Sequence, residues 1–379
     1  MTSPGEFLRS ILDGPQINMM GIPVQALVLK KWWDLAVEVV PDPVMGSGDV
    51  LIDVLATGIC GSDIHGFTGE NGRRVPGQVM GHETVGRIAG VGADTGAFGL
   101  SIGDLVTVNP VIGCGVCDNC RSGQDQNCPD KVVIGVAASY SSAFAQQMAV
   151  PAANVVVLPA SMPVAYGALV EPLAVGYHAL RRGGCSESDR VLVVGGGPIG
   201  QACVLAAQRL GAAAVVVSEP DEHRRDLIGL LGAATVDPGG ADASELPSRV
   251  AAALGGRPTI VVDAVGLGGT METAFACAPL GAVIVLVGMG SVRLDLASYE
   301  ISVKERSVVG SFCYDPEEFR QTAAWVGTSP PVLAHLIDQH VSMDSAATSF
   351  TALARGESRA SKILVYPNVD TGPVPGVLR

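Results

Sequence analysis

The chain has 379 residues, a formal net charge of −13, 48% hydrophobic residues and 48 glycines. This length exceeds what one hydrophobic core usually supports, so two domains are expected. The acidic balance argues against nucleic acid or an anionic membrane as a partner, because neither attracts a negatively charged surface. The longest apolar runs, such as Ala282–Val287, are also far too short to span a bilayer.

Residues 1–19 predict an N-terminal extension ahead of the fold, which we expect to begin near Val24. Glu6, Arg9 and Asp13 fall inside any apolar stretch that a signal peptide would need, so no secretory signal is predicted. We therefore expect a cytoplasmic, reducing location. In that setting a cysteine is more often a metal ligand than a disulfide partner.

From residue 24 to about residue 160 the sequence is dense in glycine and proline and carries short alternating apolar runs. Examples are Asp49–Leu55, Val85–Val91 and Asp104–Val108. Short strands separated by turn residues are typical of an irregular antiparallel barrel or sheet. The first part of the chain is therefore predicted to be a β-rich domain.

Two short segments of this domain combine side chains suited to metal binding and acid–base chemistry. Gly58–His65 contains a cysteine, a serine, an aspartate and a histidine, and Gly81–Glu83 contains a histidine followed by a glutamate. Each segment is weak evidence by itself. A lone cysteine in an apolar strand is usually a core residue, and a His-Glu pair is common by accident.

Cys114, Cys117, Cys120 and Cys128 form a Cys-x2-Cys-x2-Cys-x7-Cys cluster. Four thiolates this close together satisfy the tetrahedral all-sulfur shell of a closed, structural zinc site. An iron–sulfur cluster is the alternative that the spacing leaves open. A disulfide framework is a further alternative, although it suits small secreted domains rather than a chain of this length. A closed zinc site has no position for substrate, so this lobe is expected to support folding.

From about residue 165 apolar strands alternate with helices. The predicted elements are a helix over Ala165–Arg182, a strand over Arg190–Val194, a helix over 199–210, a strand over Ala213–Ser218, a short strand at Thr235–Val236, a strand over Thr259–Asp263, a helix over 270–278 and a strand over Ala282–Val287. Strands that are apolar throughout and alternate with helices predict a parallel sheet covered on both faces. After about residue 310 the sequence becomes turn-rich again. We therefore expect a Rossmann domain inserted into the β-rich domain.

Gly195–Gly200 matches the Gly-x-Gly-x-x-Gly pattern, which a chain this rich in glycine also contains by chance. Its context is more informative, since the motif follows an apolar strand, opens a helix and precedes a second strand that ends in Glu219. In this setting a pyrophosphate approaches a helix N-terminus. Glu219 would bind the adenosine ribose and repel a 2′-phosphate, which favours NAD. Arg224 and Arg225, just beyond it, leave NADP open.

Two other interpretations of the glycine motif remain. One is a glycine-rich turn of an α/β protein that binds no dinucleotide, and the other is a site for a nucleoside-type ligand such as S-adenosylmethionine.

Taken together, these segments resemble the zinc-dependent medium-chain alcohol dehydrogenases, in the branch of sorbitol, threonine and butanediol dehydrogenases. The resemblance extends from about residue 24 to residue 366. The matching segments are GICGSDIH (58–65), GHE (81–83), the cysteine lobe (114–128), VEPLAVGYHAL (170–180), VLVVGGGPIG (191–200) and VKERSVVGS (303–311). It implies an α/β fold in which a doubly wound Rossmann domain is inserted in a β-rich GroES-like catalytic domain. The implied divisions are an N-terminal extension at 1–19, the catalytic domain at 20–167 with its zinc lobe at 109–130, the NAD-binding domain at 168–309 and a return to the catalytic domain at 310–379.

The resemblance implies that Cys60, His82 and Glu83 bind a catalytic zinc, with Glu171 bound to it directly or through a water. Three protein ligands leave a fourth position for the substrate oxygen, where the metal acts as a Lewis acid. For Glu171 the alternative is a carboxylate that is merely favoured in the first turn of a helix by the helix dipole.

Three further residues are implied to support catalysis. Asp63 is expected to hold the His82 ring in its metal-binding tautomer. Ser62 is expected to take the alcohol proton, with the cofactor ribose and His65 relaying it to solvent. The alternatives are that Asp63 only caps a helix starting at Ile64 and that His65 is a surface residue.

The full set implied by the resemblance comprises two zinc ions and one NAD per chain. The structural zinc is assigned to Cys114, Cys117, Cys120 and Cys128. The cofactor-binding residues are Gly195, Gly197, Pro198, Ile199, Gly200, Glu219, Arg224, Val265, Val287 and Gly288. The expected partners are a small-molecule alcohol and further copies of the chain in a homodimer or homotetramer.

The implied function is hydride transfer between NAD and a secondary alcohol of one of four classes: a polyol, a cyclitol, a diol or an amino alcohol. Two departures from the sorbitol dehydrogenases argue against sorbitol itself. Gly66 stands where those enzymes usually carry a tyrosine, and Cys313 stands where they carry an arginine. Both changes remove donors that would bind a polyol chain. The loop Phe67–Gln78, with Arg73 and Arg74, is a candidate to shape the pocket instead.

Two competing functions are considered. A zinc-free enone or quinone reductase of the same superfamily would generally lack the Cys60, His82 and Glu83 set and the cysteine lobe. A non-enzymatic protein that retains the fold would not need a complete set of catalytic residues.

Overall fold

The computed structural model describes residues 24–70, 72–140, 142–239 and 243–368. The predicted N-terminal extension, 1–19, lies outside the described residues, as does the end of the last predicted division. Within the described part of the chain, no helix has both the length and the apolar character needed to cross a membrane.

The strands are β1 (Val24–Lys31), β2 (Asp34–Val40), β3 (Asp49–Gly58), β4 (Glu83–Val91), β5 (Leu105–Val108), β6 (Val111–Ile112), β7 (Val132–Val133), β8 (Gln147–Pro151), β9 (Val155–Val157), β10 (Arg190–Val194), β11 (Ala214–Ser218), β12 (Ala234–Val236), β13 (Ile260–Asp263), β14 (Val283–Leu286), β15 (Ser307–Gly310), β16 (Gln339–Ser342) and β17 (Ile363–Tyr366).

The α-helices are α1 (Gly61–Thr68), α2 (Asp118–Arg121), α3 (Val164–Gly167), α4 (Val170–Arg182), α5 (Pro198–Arg209), α6 (Glu222–Leu230), α7 (Leu246–Leu254), α8 (Gly268–Cys277), α9 (Ser298–Ser302), α10 (Pro316–Gly327) and α11 (Met343–Ala354). Short 3-10 turns cover Gly96–Phe98, Asp125–Asn127, Ala152–Asn154, Ala243–Glu245 and Pro331–Leu336.

Most strands of the first part of the chain form one largely antiparallel sheet in the order β16-β17-β3-β4-β5-β9, with β8 also paired to β3. Strands β16 and β17 come from the end of the chain, and β17 pairs antiparallel with β3. The chain therefore leaves this sheet after β9 and returns to it at β16. Everything between is an insertion, as predicted. The numerical domain boundaries given above stay a prediction.

The inserted part contains a six-stranded parallel sheet in the order β12-β11-β10-β13-β14-β15. Successive residues of a strand point to opposite faces. In β10, Val191 and Val193 pack into one hydrophobic core, and Leu192 and Val194 pack into another. Both faces of the sheet are therefore covered, which explains why the strand is apolar throughout and confirms the predicted doubly wound fold.

The strand order places the glycine motif at a functional position. The first strand of this sheet, β10, lies at its centre, between β11 and β13. Ligands of open α/β sheets bind outside the carboxyl ends of the strands, where the strand order reverses. Gly195–Gly200 follows β10 directly and leads into α5, so it lies at that crevice.

One expectation about an individual element was wrong. The helix expected over Ala165–Arg182 is divided into α3 and α4, because Pro172 has no amide hydrogen and fits only the first turn of a helix. The apolar strand near Ala282–Val287 is interior, since β14 pairs with both β13 and β15. The edge strand of the parallel sheet on that side is β15.

Candidate active site

The two ligand-bearing segments of the first domain meet because β3 and β4 are antiparallel neighbours. Gly58 at the end of β3 pairs with Glu83 at the start of β4. Cys60 follows β3 and caps α1, and His82 immediately precedes β4. The ligand atoms of Cys60, His82 and Glu83 all lie within 4.8 Å of one another. The sequence-predicted ligand set is thus brought together at one end of the sheet.

The carboxylate of Glu83 is held between a glycine and a lysine. A Cβ atom on Gly58 would lie 1.9 Å from Glu83 Oε2, so only glycine leaves room for it. Lys362 Nζ donates to both Glu83 oxygens at 2.7 and 2.6 Å, and both side chains are buried. Burial lowers the pKa of Lys362, but the charges of Glu83, Cys60 and Glu171 and the hydrogen bond to Glu83 together outweigh burial and hold this pKa above its usual value.

Lys362 was missed by the sequence analysis. It precedes the buried strand β17 as a single lysine, and its partner lies 279 positions away in the chain. A charged residue directly before an apolar strand is too common a pattern to identify it. Only the return of β17 to the sheet of β3 places it in the site.

Asp63 lies behind the His82 ring. Asp63 is fully buried, and its Oδ1 atom lies 3.5 Å from His82 Nδ1, which has no hydrogen-bond partner among the described residues. At this distance the contact is electrostatic rather than a closed hydrogen bond. Burial lowers the pKa of His82, but the negative charges of Asp63 and Cys60 outweigh burial and hold it well above its usual value.

Asp63 also caps a helix, although not in the way considered from the sequence. The helix α1 begins at Gly61 rather than at Ile64, and Asp63 is its third residue. Its Oδ2 atom accepts a hydrogen bond from the backbone N–H of Cys60 at 3.2 Å. Asp63 therefore has both roles considered from the sequence: its Oδ2 atom caps the helix, and its Oδ1 atom faces His82.

The charges around this cluster fit a divalent cation. The carboxylate of Asp63 is paired with Arg74 at 3.3 Å, and that of Glu83 is paired with Lys362. The nearby Glu171 carboxylate accepts a hydrogen bond from the neutral Tyr314 hydroxyl and has no lysine or arginine within 4 Å among the described residues. Thiolate, imidazole and carboxylate donors in one buried cluster are the ligand types of zinc.

Glu171 lies in the first turn of α4 and is buried, but its carboxylate is outside the close group of ligand atoms. Its Oε1 atom accepts a hydrogen bond from the Tyr314 hydroxyl at 3.0 Å. Burial raises the pKa of Glu171 to about 7; the nearby His82 opposes this shift and Glu83 adds to it. The sequence did not identify Tyr314 as a partner of Glu171, because the two residues lie 143 positions apart in the chain.

The two residues of the predicted proton relay lie on α1. Ser62 is half-buried in its first turn, and His65 is one turn further along. The His65 side chain is 43% exposed, and its Nδ1 atom lies 3.0 Å from Glu70 Oε2. His65 therefore reaches the surface, and the roles of both residues stay predictions.

The four cysteines of the lobe also come together. The sulfur atoms of Cys114, Cys117, Cys120 and Cys128 lie within 4.8 Å of one another, and all nine cysteines of the chain are free. The backbone N–H of Cys117 donates to Cys114 Sγ at 3.3 Å, and that of Cys114 donates to Cys128 Sγ at 3.4 Å. Backbone N–H groups of Val116 and Cys117 lower the pKa of Cys114 to about 7. Burial instead raises the pKa values of Cys120 and Cys128, so the fit to a four-sulfur metal site rests on the closeness of the four sulfur atoms.

The glycines of the dinucleotide motif divide into two kinds. Gly195 has a φ of +99°, and a Cβ atom on Gly200 would lie 1.9 Å from the Gly195 carbonyl oxygen. These two glycines make the turn between β10 and α5 tight. At Gly197, the nearest atom to an added Cβ is Arg224 Nη1 at 4.0 Å. Gly197 therefore faces open space beside Pro198 and Ile199 in the first turn of α5, where a phosphate could approach.

Glu219, just beyond β11, is hydrogen-bonded to the glycine loop. Its Oε2 atom accepts from the backbone N–H of Gly196 at 2.6 Å, and its Oε1 atom accepts from that of Asp221 at 2.9 Å. Arg225 donates to the Glu219 carbonyl at 2.9 Å, so it is bound to the backbone. Of the two arginines considered from the sequence, Arg224 is the one that faces the glycine loop.

The remaining predicted cofactor residues line the same crevice. Asp263, at the end of β13, accepts backbone hydrogen bonds from Val265 and Gly266, each at 2.9 Å. A Cβ atom on Gly288 would lie 2.2 Å from the Val265 carbonyl carbon, so the loops after β13 and β14 pack directly together. Val287 and Gly288 are therefore beside Val265, next to the glycine turn.

Comparison with known proteins agrees with both parts of the fold. The family described as alcohol dehydrogenase GroES-like domain matches residues 46–160, and the family described as zinc-binding dehydrogenase matches residues 198–328. L-galactonate-5-dehydrogenase of Escherichia coli (strain K12) is 33% identical over 73% of this chain and 79% of its own length. Sorbitol dehydrogenase of Bacillus subtilis (strain 168) is 28% identical over 91% of this chain and 98% of its own.

A solved structure shows the same overall shape. A zinc-binding dehydrogenase from Sinorhizobium meliloti 1021, bound to NADP, has a TM-score of 0.82 and 29% identity, covering 92% of this chain and all of that one. The predicted resemblance is thereby confirmed, and no finding favours a zinc-free reductase. The chain belongs to the zinc-binding medium-chain alcohol dehydrogenases and is a zinc enzyme that transfers a hydride between NAD and the CH–OH group of an alcohol or polyol.

Proposed function

We propose that Cys60, His82 and Glu83 hold the catalytic zinc of this dehydrogenase and that the substrate is a secondary alcohol of the polyol type. The observation that carries the proposal is the buried cluster of three unlike donors at the β3–β4 pairing. Among the described residues Asp63 and Glu83 are paired with Arg74 and Lys362, whereas the Glu171 carboxylate has only the neutral Tyr314 hydroxyl, so a metal would compensate its charge. When bound, zinc supplies a Lewis acid and NAD supplies a hydride acceptor.

The residues of α1 are suited to move the alcohol proton outward. Ser62 follows the metal-ligand candidate Cys60 by two residues, and His65 lies three residues beyond Ser62. Residues three apart share one face of a helix. His65 is half-exposed and lies beside Glu70, so it can exchange a proton with solvent. We assign Ser62 as the acceptor of the substrate proton and His65 as the residue that passes it to water.

The cysteine lobe is proposed to hold the second, structural zinc. Its four sulfur atoms are mutually close and receive backbone N–H bonds. Four sulfur ligands fill a tetrahedral shell and leave no position for substrate. The lobe thus contributes stability to the first domain and no atom to the reaction.

The metal assignment is tested by counting zinc in purified protein. We expect about two zinc ions per chain in the wild type. Cys60→Ser should lose the catalytic ion and turnover while keeping the structural ion and the fold. Cys185→Ser, a half-buried cysteine outside both clusters, is the matched control and should keep both ions. Two retained ions in Cys60→Ser would show that this assignment is wrong.

NAD is the proposed natural cofactor over NADP. The support is Glu219, whose carboxylate lies where the 2′-position of an adenosine ribose is read and where a 2′-phosphate would be repelled. The similar enzyme from Sinorhizobium meliloti is described as bound to NADP. In this chain the arginine that could attract a 2′-phosphate is Arg224, since Arg225 is engaged with backbone carbonyls.

The substrate class is proposed from the pocket side chains and from relatives that act on sorbitol and galactonate. Lys131 lies over the Phe312 ring at 5.6 Å, and its Nζ atom donates to the Cys128 carbonyl at 3.4 Å rather than to a carboxylate. A polyol that carries a carboxylate could therefore be bound as well as a neutral one. Screening NAD reduction over diols, polyols, cyclitols, amino alcohols and aldonic acids tests the proposal. Turnover of none of these would refute it.

A homo-oligomer in the cytoplasm is the proposed state of the enzyme. The edge strand β15 is preceded by a segment with exposed apolar side chains, including Val292 at 94% and Tyr299 at 80% exposure. Such side chains favour a contact with a second copy. Nine free cysteines favour a reducing compartment, and cell fractionation tests that location.

A further inference from the structure

We infer that Arg74, in the loop between α1 and β4, is a positioning residue of the zinc site, because it holds Asp63 in place behind His82. The inference rests on the zinc-ligand role proposed for His82. Arg74 is an arginine with only 2% of its surface exposed. Arginine is almost never this buried unless it is paired. Its position therefore needs a specific explanation.

The space for Arg74 exists because residue 66 is a glycine. A Cβ atom on Gly66 would lie 2.3 Å from Arg74 Cγ and 3.2 Å from Arg74 Cβ. Any side chain at this position would displace the arginine. Gly66 also lies one turn after Asp63 on α1. The space left by its missing side chain therefore brings the Arg74 guanidinium next to the Asp63 carboxylate. Gly66 and Arg74 therefore act as one structural unit.

The carboxylate of Asp63 is fixed at three points. Arg74 Nη2 donates to Asp63 Oδ1 at 3.3 Å, and the same oxygen lies 3.5 Å from His82 Nδ1. The other oxygen, Oδ2, accepts from the backbone N–H of Cys60 at 3.2 Å. Two of these contacts thus lead to proposed zinc ligands, and the third is the arginine.

Among the described residues, Arg74 supplies the one permanent positive charge beside this carboxylate. Within the described residues, Arg74 is the one lysine or arginine within 4 Å of Asp63, and Asp63 is the one carboxylate within 4 Å of Arg74. A buried charge left without its partner is strongly unfavourable. Without the guanidinium, Oδ1 would lose one of its two neighbours and the carboxylate would be free to rotate away from the imidazole.

The consequence concerns how firmly the metal is held. Removing a group that orients a metal-binding histidine typically costs 10- to 100-fold in metal affinity or activity. Because Arg74 acts one contact further away, through Asp63, we expect an effect of about tenfold, at the lower end of that range. The proposed structural ion, held by the cysteine lobe, should be unaffected.

Zinc release tests the inference without relying on turnover. The holoenzyme is mixed with a chromogenic chelator, and the catalytic and structural ions are followed as separate release phases. Arg74→Met removes the guanidinium but keeps an unbranched side chain. We expect the catalytic ion to leave about tenfold faster, with the structural phase and the circular dichroism spectrum unchanged. Arg74→Lys keeps the charge without the planar fork, so its release rate should fall in between.

A second variant tests the position of Arg74 without replacing a charged residue. Gly66→Ala should displace Arg74 and accelerate release of the catalytic ion in the same direction. Its matched control is Gly61→Ala on the same helix, where an added Cβ has no atom within 4 Å. Arg73→Met, an exposed neighbour in the loop, is the control for Arg74→Met. Both controls should release zinc at the wild-type rate.

The outcomes separate this inference from the proposed function. A wild-type release rate in folded Arg74→Met and Gly66→Ala would overturn the inference. Equal acceleration of both phases would also overturn it, because that result means general destabilisation. If instead Cys60→Ser still holds both ions, the proposed ligand set itself is wrong. That result is independent of Arg74.

Discussion

The carboxylates around the proposed catalytic metal differ in how their charges are compensated. Asp63 faces Arg74 and Glu83 faces Lys362, so each has a buried cation. Glu171 receives only a neutral hydroxyl, that of Tyr314. This difference explains why burial is able to raise the pKa of Glu171 to about 7. We propose that a metal compensates the charge of this third carboxylate.

Replacing Glu171 tests its role. Because its carboxylate is outside the close ligand group and is bonded to Tyr314, we expect Glu171→Gln to retain zinc and to lose kcat about 10- to 100-fold, with an altered pH profile. Loss of zinc would instead establish a direct ligand. Tyr314→Phe keeps the charge and is the matched control for the hydrogen bond. Unchanged zinc, kcat and pH profile would reduce Glu171 to a helix-favoured carboxylate.

Replacing Glu219 tests the cofactor preference. We expect wild-type kcat/KM to favour NAD, and Glu219→Ala to lower the NAD to NADP ratio by about tenfold or more, since a hydrogen bond to a charged group contributes about 1.5–3 kcal/mol. Arg224→Met tests whether Arg224, rather than Glu219, determines the preference between NAD and NADP. A wild-type preference for NADP that Arg224→Met abolishes would show that the arginine governs the pocket.

At the scale of elements, α4 and α10 position Tyr314 against Glu171. Glu171 is in the first turn of α4, and Tyr314 directly precedes the capping residue of α10. Two turns beyond Glu171, His178 Nδ1 lies 2.6 Å from Glu318 Oε2, and both side chains are buried. This contact holds the two helices together and so fixes the distance between the hydroxyl and the carboxylate.

The His178–Glu318 contact predicts a specific acid sensitivity. Burial raises the pKa of Glu318, but His178 and the Asp315 N–H outweigh burial, so the pKa lies below its usual value of 4.5. A carboxylate whose pKa is lower in the folded than in the unfolded state stabilises the fold above pH 4.5. This stabilisation is lost as the pH falls through the lowered pKa.

Glu318→Gln should therefore lower the free energy of unfolding by about 1–3 kcal/mol at neutral pH, and the loss should shrink on acidification. Urea unfolding at several pH values measures it. Glu317→Gln, its exposed neighbour, is the control. Equal losses at pH 7 and at pH 3 would contradict the expected linkage.

At the scale of the whole molecule, the open edge of the parallel sheet bears on assembly. Strand β15 is the edge on one side, and β12 is the edge on the other. Tyr299 and Val303, at the start and end of α9, are 80% and 70% exposed and directly precede β15. Apolar side chains beside an unpaired strand edge are suited to contact with a second chain.

Charge placed on this edge should separate the copies. We expect the wild type to be a dimer or tetramer by light scattering at micromolar concentration. The double variant Tyr299→Arg and Val303→Glu should lower the oligomeric mass while each chain keeps both zinc ions. Leu230→Glu, an exposed leucine on α6, is the control and should not change the mass. A monomeric wild type would refute the proposed assembly.

Local sequence patterns were sufficient to predict much of the fold and of the candidate site. Ligand spacing in the cysteine lobe, the glycine motif after an apolar strand and the alternation of strands and helices are all properties of short segments, and each predicted its element. Pairing partners far apart in sequence leave no such pattern. The break between α3 and α4 at Pro172 was visible in the sequence, but the apolar periodicity on either side concealed it.

The residue types that can bind zinc and a dinucleotide, and the fold class that carries them, follow from the sequence because spacing and hydrophobic period are local. Tertiary structure alone decided how their charges are balanced. Lys362 reaches Glu83 only because β17 returns to the first sheet, and Arg74 reaches Asp63 only because Gly66 leaves a notch in α1. Buried charges require partners, and the chain supplies them from wherever the packed fold brings a cation close.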